Sequence, residues 1–407
     1  LFIKTCLCVT MGSMDKTLEL YYESAYLTEF EGRVLACDSR DDGHYEVILD
    51  KTAFFPEQGG QTSDVGLFTT SDGTEIHVSH VSIGDGVIRH ICDGAVSAGD
   101  ELHGRIDFAH RFSNMQQHTG EHIFSGIVSK RFGYDNVGFH LSDSEVTMDY
   151  NGPLSKRDID DIELAVNRAI WENVAVTCSF PEASELSTID YRSKKELSGD
   201  VRIVTVEGYD VCACCAPHVN RTGEIGLLKV VGLQNYKGGV RVSILCGQRA
   251  LEYLGRAQDI VKTLSDTFTT SDDKVVSSVE KLSEENSSLK AELSELRDKL
   301  IDIEVNEIES KAGSVFVAKS GSFDAGAARK MVNLLAARNS GYSGVFSGDS
   351  GNYRYVIATG DDNRDLKALN EMLKERYGAK GGGNNKMVQG SLCAQDIGDV
   401  IDSCYSI

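Results

Sequence analysis

His118 and His122 stand four residues apart in QQHTGEHIFSG, and Cys214 and His218 stand four apart in CACCAPHVNRTGEIG. On a helix, residues four apart lie one turn apart on the same face, so two imidazoles there can converge on one ion. A thiol/imidazole pair from a distant segment would complete three nitrogens and one sulfur, a borderline-soft set that suits zinc better than calcium or magnesium. Either pair alone also fits a bland role: two satisfied helical histidines, or a redox or buried thiol cluster. Together they point to a metal site, because the other His and Cys are scattered. Cys212 and Cys215 flank Cys214 and could compete as ligands, but only Cys214 has the i,i+4 relation to His218. Two neighbours are catalytic candidates. Gln117 precedes the first His and could hydrogen-bond in a pocket. Glu121 resembles the helical base of HExxH enzymes, although it immediately precedes His122, about 100° round the helix, which equally suits a surface carboxylate.

These residues need elements to hold them. A helix is expected to carry HTGEHIFSGIVSKRF, with strands near FHLSDSEVTMDY. A second helix is expected from about Leu154, where Ser155 and Asp158 have capping-box spacing. VRIVTV, the CACCAPH loop, IGLLKVVGL and GVRVSILCG follow. Upstream, alternating or β-branched segments such as YEVILD and EIHVSHVSI, with turns at Asp42-Gly43, Asp72-Gly73 and Asp85-Gly86, read as strands and hairpins. Downstream, Val279, Asn286, Leu293 and Leu300 repeat every seven residues, and Leu282, Leu289, Leu296 and Ile303 repeat in step, offset by three. That is an a/d heptad with one a-position Asn, a device that fixes register. Thr269–Asp273 breaks the pattern, so either an earlier helix folds back on this one or two chains pair through it. A final stretch, from SVFVAKSG to GAKGGGNNKMVQGS, alternates strands and helices.

The chain has 407 residues, too long for one compact core. Its net charge of −21 opposes non-specific nucleic-acid binding. Lys130-Arg131, Arg192/Lys194/Lys195 and Lys374/Arg376/Lys380 are local basic patches that also read as solvated surface. No run approaches the roughly 20 apolar residues of a membrane span, so no membrane partner is expected. Eleven Cys at irregular spacing favour reduced thiols and a cytoplasmic setting; Cys37, Cys92, Cys178, Cys246, Cys393 and Cys404 read as small buried hydrophobes. Residues 1–13 are treated as an extension, with a start at Met14 plausible. No glycine-rich nucleotide loop stands before a helix.

HTGEH, CxxxH followed by TGEIG, and GGVRVSILCG resemble the editing domain of alanyl-tRNA synthetases, which also occurs in free-standing alanyl-tRNA editing proteins of the AlaX type. TAFFPEQGGQTSDVG resembles the strand-turn motif of their small β domain, and GGGNNKMVQGS the Gly-rich close of their C-terminal module. Module order over 14–407 matches the long free-standing form. The family's second motif is usually Cys-Gly-Gly-Thr-His; here Cys215, Ala216 and Pro217 stand between the metal positions.

The resemblance implies an α+β multidomain chain: a β-barrel-like domain over 14–100, a zinc-containing α+β editing domain over 101–250, a helical coiled-coil linker over 251–312, and a C-terminal α/β module over 313–407. It implies one zinc on His118, His122, Cys214 and His218, and hydrolysis of Ser-tRNA(Ala), with Gly-tRNA(Ala) a second substrate. Gly138, His140, Ser142, Thr222 and Gly223 would bind substrate, with His140 or Ser142 reading the serine hydroxyl, since a site built to bond a hydroxyl rejects a side chain lacking it. Gly381, Gly382, Gly383, Lys386 and Gln389 would meet tRNA, and 271–305 would pair two copies. Four protein ligands fill a tetrahedral zinc, whereas catalytic sites keep a position open, so an exchangeable position is expected. The rival is a zinc- and tRNA-binding dimerisation protein without hydrolysis. Only about a hundred residues precede the metal motif, which gives no support for ligating alanine to tRNA. Peptidase and DHH-type readings lack their motifs.

Overall fold

The computed structural model describes residues 16–193, 200–361 and 364–407. The expected extension over 1–13, the start at Met14, and Lys194 and Lys195 of one basic patch lie outside the described residues. The chain divides into two compact units, Leu1–Val261 and Lys262–Ile407.

The first unit opens with a closed six-stranded barrel: β1 (Glu29–Ser39), β2 (Tyr45–Leu49), β3 (Gly66–Thr69), β4 (Glu75–Gly84), β5 (Val87–Cys92) and β6 (Glu101–Ile106), in the order β1-β2-β5-β4-β3-β6. The alternation read in the sequence is the cause, since β1 and β4 start by burying every second residue. All three Asp-Gly dipeptides make hairpin turns, and at Asp85 and Gly86 both residues take positive φ (54° and 78°). That is the conformation a two-residue turn between twisted strands requires. Strand β6 pairs with β1 and β3, so the barrel runs past residue 100. Phe30, Phe54, Phe55 and Phe68 fill its interior.

An α+β layer follows. Helix α1 (Phe108–Phe132) leads to β7 (Asn136–Leu141), β8 (Val146–Tyr150) and α2 (Lys156–Glu172). Next come β9 (Val176–Ser179), β10 (Ile203–Val206), β11 (Asp210–Ala213), β12 (Leu228–Tyr236) and β13 (Gly239–Cys246). One sheet has the order β12-β13-β8-β7 and another β9-β10-β11. The expected capping box starts α2: Ser155 Oγ accepts from Asp158 N, and the Asp158 carboxylate accepts from Ser155 N. Ile159, Ile162, Val166, Ala169 and Ile170 then form one buried stripe. Helix α1 has no such stripe, because it is enclosed on all sides from Asn114 to Val128. It begins at the barrel, where buried Arg111 grips buried Asp64 and donates to the carbonyls of Ala53 (2.7 Å) and Ala25 (3.0 Å). Helix α3 (Gly247–Phe268) follows β13.

The second unit contains α4 (Val275–Glu307), β14 (Val315–Lys319), α5 (Ala325–Ala336), β15 (Tyr342–Asp349), β16 (Asn352–Thr359), α6 (Leu366–Tyr377), β17 (Lys380–Gly383), β18 (Met387–Cys393) and α7 (Ile397–Tyr405). Its sheet runs β14-β15-β16-β18-β17, with only the first pair parallel. Helix α4 packs through Ile301 and Val305 into a cluster that includes Met331 and Leu335 of α5. Its heptad residues face outward: Val279, Leu282, Leu289, Leu293, Leu296, Leu300 and Ile303 are 43–66% exposed.

Of the isolated thiols, Cys92, Cys246 and Cys404 are buried as expected and Cys37 is half-buried. Cys178 and Cys393 are exposed.

Candidate metal centre

Helix α1 brings His118 and His122 to one face, with ring centroids 5.4 Å apart. The loop after β11 brings Cys214 and His218 against them. His118 Nε2 lies 3.5 Å and His218 Nε2 3.4 Å from Cys214 Sγ, and the His218 ring is 4.6 Å from that of His122. Donor atoms of all four residues lie within 4.8 Å of one another, close enough to hold one ion. Two glycines permit the approach. A Cβ at Gly120, inside HTGEH, would stand 2.5 Å from Cys246 Sγ on β13, and one at Gly126 would stand 2.6 Å from the Tyr209 carbonyl before β11. Ala216, fully buried, joins the barrel's apolar cluster, and Cys214 and Cys215 pack against it. Two of the three unusual residues between the metal positions, Cys215 and Ala216, thus face the barrel.

Each imidazole is anchored through its other nitrogen. His118 Nδ1 is 2.7 Å from Gln61 Oε1, an acceptor from the loop between β2 and β3. His218 Nδ1 is 3.0 Å from Thr119 Oγ1. The Thr119 hydroxyl spends its hydrogen on the Met115 carbonyl (2.8 Å), so it can only accept from His218. His122 Nδ1 is 3.1 Å from a carboxylate oxygen of Asp210, which Arg192 holds with both arms (2.7 and 2.9 Å). His118 and His218 therefore carry hydrogen on Nδ1 and present unprotonated Nε2, the tautomer a metal-binding imidazole needs, and the Asp210 carboxylate beside His122 Nδ1 favours a proton on that nitrogen too. This pattern fits zinc: three neutral imidazole nitrogens and one sulfur, each imidazole oriented from outside. Cys212 forms a second group with His122 and Asp210. Because Arg192 already grips both oxygens of Asp210, that carboxylate is better suited to orienting His122 than to holding another ion.

Charge divides the rings. Burial, with His122 and His118 alongside, pushes His218 well below the usual imidazole range and keeps it neutral. At His122 burial opposes charging, but Cys212 and Asp210 outweigh it and raise its pKa. Asp210 is likewise penalised by burial, yet His122 and Arg192 hold its carboxyl below the ordinary value. Burial, with Cys214 adding to it, pushes the Cys215 thiol up to about 12.

The metal group borders a cavity of about 630 Å³ whose walls include Tyr22, Gly59, Gly60, Gly138, Phe139 and Phe180. Of the residues expected to bind substrate, only Gly138 lines it. His140 is exposed and outside the lining, and Ser142 Oγ bonds within its own turn, to Glu145. Thr222 is fully buried, donating to the Ala169 carbonyl (2.7 Å) and accepting from Val174 N (2.9 Å), while Gly223 N donates to Asn173. TGEIG thus secures the end of α2. Gln117 staples α1 to β13, bonding Cys246 N (2.7 Å) and the Cys246 carbonyl (2.9 Å). Glu121 is not on the surface. It is buried, accepts from Ser125 Oγ and Asn136 Nδ2 at 2.6 Å each, and lies 4.0 Å from His122 Nε2 without lining the cavity. Arg192, read as part of a basic patch, is the half-buried partner of Asp210.

In the second unit, Gly381–Gly383 form edge strand β17. A Cβ at Gly381 or Gly383 would collide with the β18 backbone, whereas at Gly382 it would meet open space. Lys386 is exposed, and Gln389 Oε1 accepts from Arg329.

Gln61, Thr119 and Asp210 were missed in the sequence. Gln61 stood in a segment read as a glycine turn, Thr119 inside HTGEH, and Asp210 four residues before Cys214.

Residues 201–243, which carry Cys214 and His218, match the family described as the threonyl and alanyl tRNA synthetase second additional domain. Residues 13–110 match class II (A) tRNA synthetases. The chain is similar to alanine–tRNA ligases over most of its length. That of Methanoregula boonei is 28% identical over 93% of this chain and 42% of its own. That of Pyrococcus abyssi is 29% identical over 97% and 44%. That of Ignicoccus hospitalis is 33% identical over 63% and 29%. The chain thus spans less than half the length of these relatives. The crystal structure of the C-Ala domain from Aquifex aeolicus alanyl-tRNA synthetase aligns with 24% of this chain and 93% of its own at 16% identity, with a TM-score of 0.22, too slight to carry a conclusion. Among the described residues, no helix is long and apolar enough to cross a membrane.

Proposed function

We propose that this chain is a trans-editing deacylase that hydrolyses the ester of mischarged tRNA(Ala), chiefly Ser-tRNA(Ala) and also Gly-tRNA(Ala), in a reducing cytoplasm. The observation that carries this reading is the convergence of three imidazoles and one thiol, of which His118, His122 and Cys214 line a cavity of about 630 Å³. Zinc on His118, His122, Cys214 and His218 would supply Lewis-acid polarisation and a fixed charge for the aminoacyl end. The aminoacyl ester is already activated, so the chain's own contribution is orientation and exclusion of misplaced water. Gly138 and Phe139 wall the cavity beside His118, whose ring centroid is 4.8 Å from that of Phe139. Glu121 acts from behind this wall. It holds Asn136 Nδ2, and Asn136 Oδ1 accepts from Gly138 N (3.2 Å), so its role is to position β7 and not to take a proton from water.

In the second unit, the open edge of β17 with Lys386 would face tRNA, and the outward heptads of 271–305 would pair two copies. The four-ligand set also fits a tetrahedral structural zinc, which favours the second reading, a zinc- and tRNA-binding dimer without hydrolysis. Zinc-loaded protein is to be incubated with Ser-, Gly- and Ala-tRNA(Ala), alongside His118→Ala and Cys214→Ala. Serine release well above alanine release, lost in both variants, supports editing. Intact Ser-tRNA(Ala) with fully metallated protein supports the second reading.

A further inference from the structure

Strand β11 carries a thiol that the four-residue metal set does not use. Asp210, Cys212 and Cys214 alternate along it, so their side chains share one face. The extended pairing runs one residue past the strand, where Cys214 N donates to the Arg202 carbonyl (3.0 Å). All three residues turn toward His122. An Asp210 oxygen lies 3.1 Å from its Nδ1, and the sulfurs of Cys212 and Cys214 each lie within 4.8 Å of a His122 ring nitrogen. Asp210 orients that ring and Cys214 is a metal donor. Cys212 does neither. It is buried, yet it borders the same cavity as Cys214.

Spacing decides which thiol can reach Cys214. Residues two apart on a strand stand about 6.6 Å apart between Cα atoms, at ~3.3 Å per residue. That falls inside the roughly 4.4–6.8 Å span that a disulfide bridges, and Cys212 meets it. Cys215 is adjacent, at about 3.8 Å between Cα atoms, which is below that span. Its sulfur is turned toward the barrel, where a Cβ at Gly59 would stand 3.1 Å from it. Cys178 on β9 pairs with Val204, and Val204 pairs on its other side with Cys212. Two strand spacings of about 4.8 Å put Cys178 about 9.6 Å from Cys212, and beyond reach of Cys214.

We propose that Cys212 and Cys214 are a redox pair: a peroxide oxidises Cys214, Cys212 closes a disulfide on it, and the metal site loses its one sulfur donor until the pair is reduced. The Cys214 thiolate attacks one peroxide oxygen and the O–O bond breaks, giving hydroxide and a sulfenic acid on Cys214. The Cys212 thiol then attacks that sulfur. The S–O bond breaks, and the departing oxygen takes the thiol's proton to leave as water. Two electrons pass from the pair of sulfurs to the peroxide, and a dithiol returns them by exchange. A thiolate is the form of cysteine that binds a metal, so the disulfide leaves three imidazoles and zinc is released. This rests on the zinc reading of the site and not on hydrolysis of any ester.

The test treats zinc-loaded full chain with hydrogen peroxide and follows free zinc with a chromogenic chelator. It also maps the tryptic peptide that holds Cys212, Cys214 and Cys215. Expected are loss of the bound zinc, a Cys212–Cys214 link in the fragment spectra, and return of both thiols and of zinc binding after dithiothreitol. Cys212→Ser is expected to lose zinc under the same peroxide and not to regain it, because a sulfenic acid without a partner goes on to sulfinic acid, which a dithiol does not reverse. Cys215→Ser recovers as wild type does. The pair is overturned by a Cys212→Ser protein that regains its zinc as fully as wild type. A wild-type map that joins Cys214 to Cys215, or shows only sulfinic acid on Cys214, overturns it too, as does zinc that stays bound through the treatment. A chain that takes up no zinc at the outset removes the metal reading instead. The pair is then decided by the wild-type peptide map alone, as it is if Cys212→Ser does not fold: a Cys212–Cys214 link upholds it and the absence of that link removes it.

Discussion

Helices α1 and α4 invert the usual relation between a residue's polarity and its place. Helix α1 encloses Asn114, Gln117, His118, Glu121 and His122 in the interior, while α4 sets Leu289, Leu293 and Leu300 in water. The difference shows what each helix is for. Buried polar groups cost free energy unless each finds a partner, and those of α1 find them in the loops of the barrel, in β7, β11 and β13, and in Arg249 of α3. Exposed leucines cost little in the isolated chain but remain available for another surface. Periodicity alone reports neither outcome: the heptads of α4 do not say what covers them, and the i,i+4 His pair of α1 does not say that the whole helix is enclosed.

The sharpest test of that contrast is removal of a metal-facing group from the α1 site. Cys214→Ser or His118→Ala is expected to abolish zinc retention and seryl-ester hydrolysis together, read by metal analysis after dialysis and by release of serine from tRNA. Hydrolysis that survives metal loss would separate the buried polar cluster from the chemistry.

Next in size is the ion pair at the start of α1. Arg111→Met leaves Asp64 buried without its partner, and a loss of about 3–5 kcal/mol is expected in urea unfolding. A loss below about 1 kcal/mol, the scale of a surface pair, would mean that the pair does not secure the helix to the barrel.

His90 gives a control within the barrel. Its Nδ1 bonds the Val47 carbonyl (3.0 Å) and its Nε2 meets Thr52 Oγ1 (2.9 Å), so the neutral ring is satisfied without any ion. Burial depresses its pKa to about 4 from 6.5. The unfolded chain therefore gains a proton first as pH falls. Stability is expected to drop between about pH 6.5 and pH 4, by up to about 3 kcal/mol, and then to level off. Urea unfolding of wild type and His90→Gln at pH 7 and pH 4 isolates this term. Equal pH dependence in the two proteins would show that His90 is not the group responsible.

A smaller effect is expected behind the metal face. Asp210→Asn keeps the shape but weakens the anchor of His122, and zinc affinity should fall about 10–100-fold. Chelator competition measures it, and cobalt spectra show whether the ligand set survives. Smallest is α4: Leu293→Ser, at 66% exposure, should change monomer stability by less than about 0.5 kcal/mol. If the heptads pair two copies, the same change lowers the dimer fraction in sedimentation. A large loss of monomer stability would end the contrast between the two helices.

Local features were legible in the sequence. The two i,i+4 pairs, the Ser155 capping box, the Asp-Gly hairpins and the heptads each depend on neighbours within one or two turns. Long-range relations were hidden. Gln61 meets His118 across 57 positions, and nothing in a glycine-rich turn announces that its glutamine will orient a histidine. A surface carboxylate was one of the two readings of Glu121 because amphipathic reasoning assumes a wet face, and α1 has none through its centre. Thr222 and Gln117 have the polarity of binding residues, yet they satisfy backbone groups where elements meet. Strand β6 closes the barrel beyond residue 100 because its partners, β1 and β3, lie far back in the chain.

The bond from Gln61 to His118 also makes the barrel a participant in how tightly an ion would be held. If the barrel shifts away from α1, His118 loses the acceptor that fixes its tautomer and its angle. Metal release would then precede any gross unfolding. Zinc off-rate becomes a gauge of how firmly two layers of one unit stay seated, and a ligand that wedges between them would act as a metal antagonist without touching the metal.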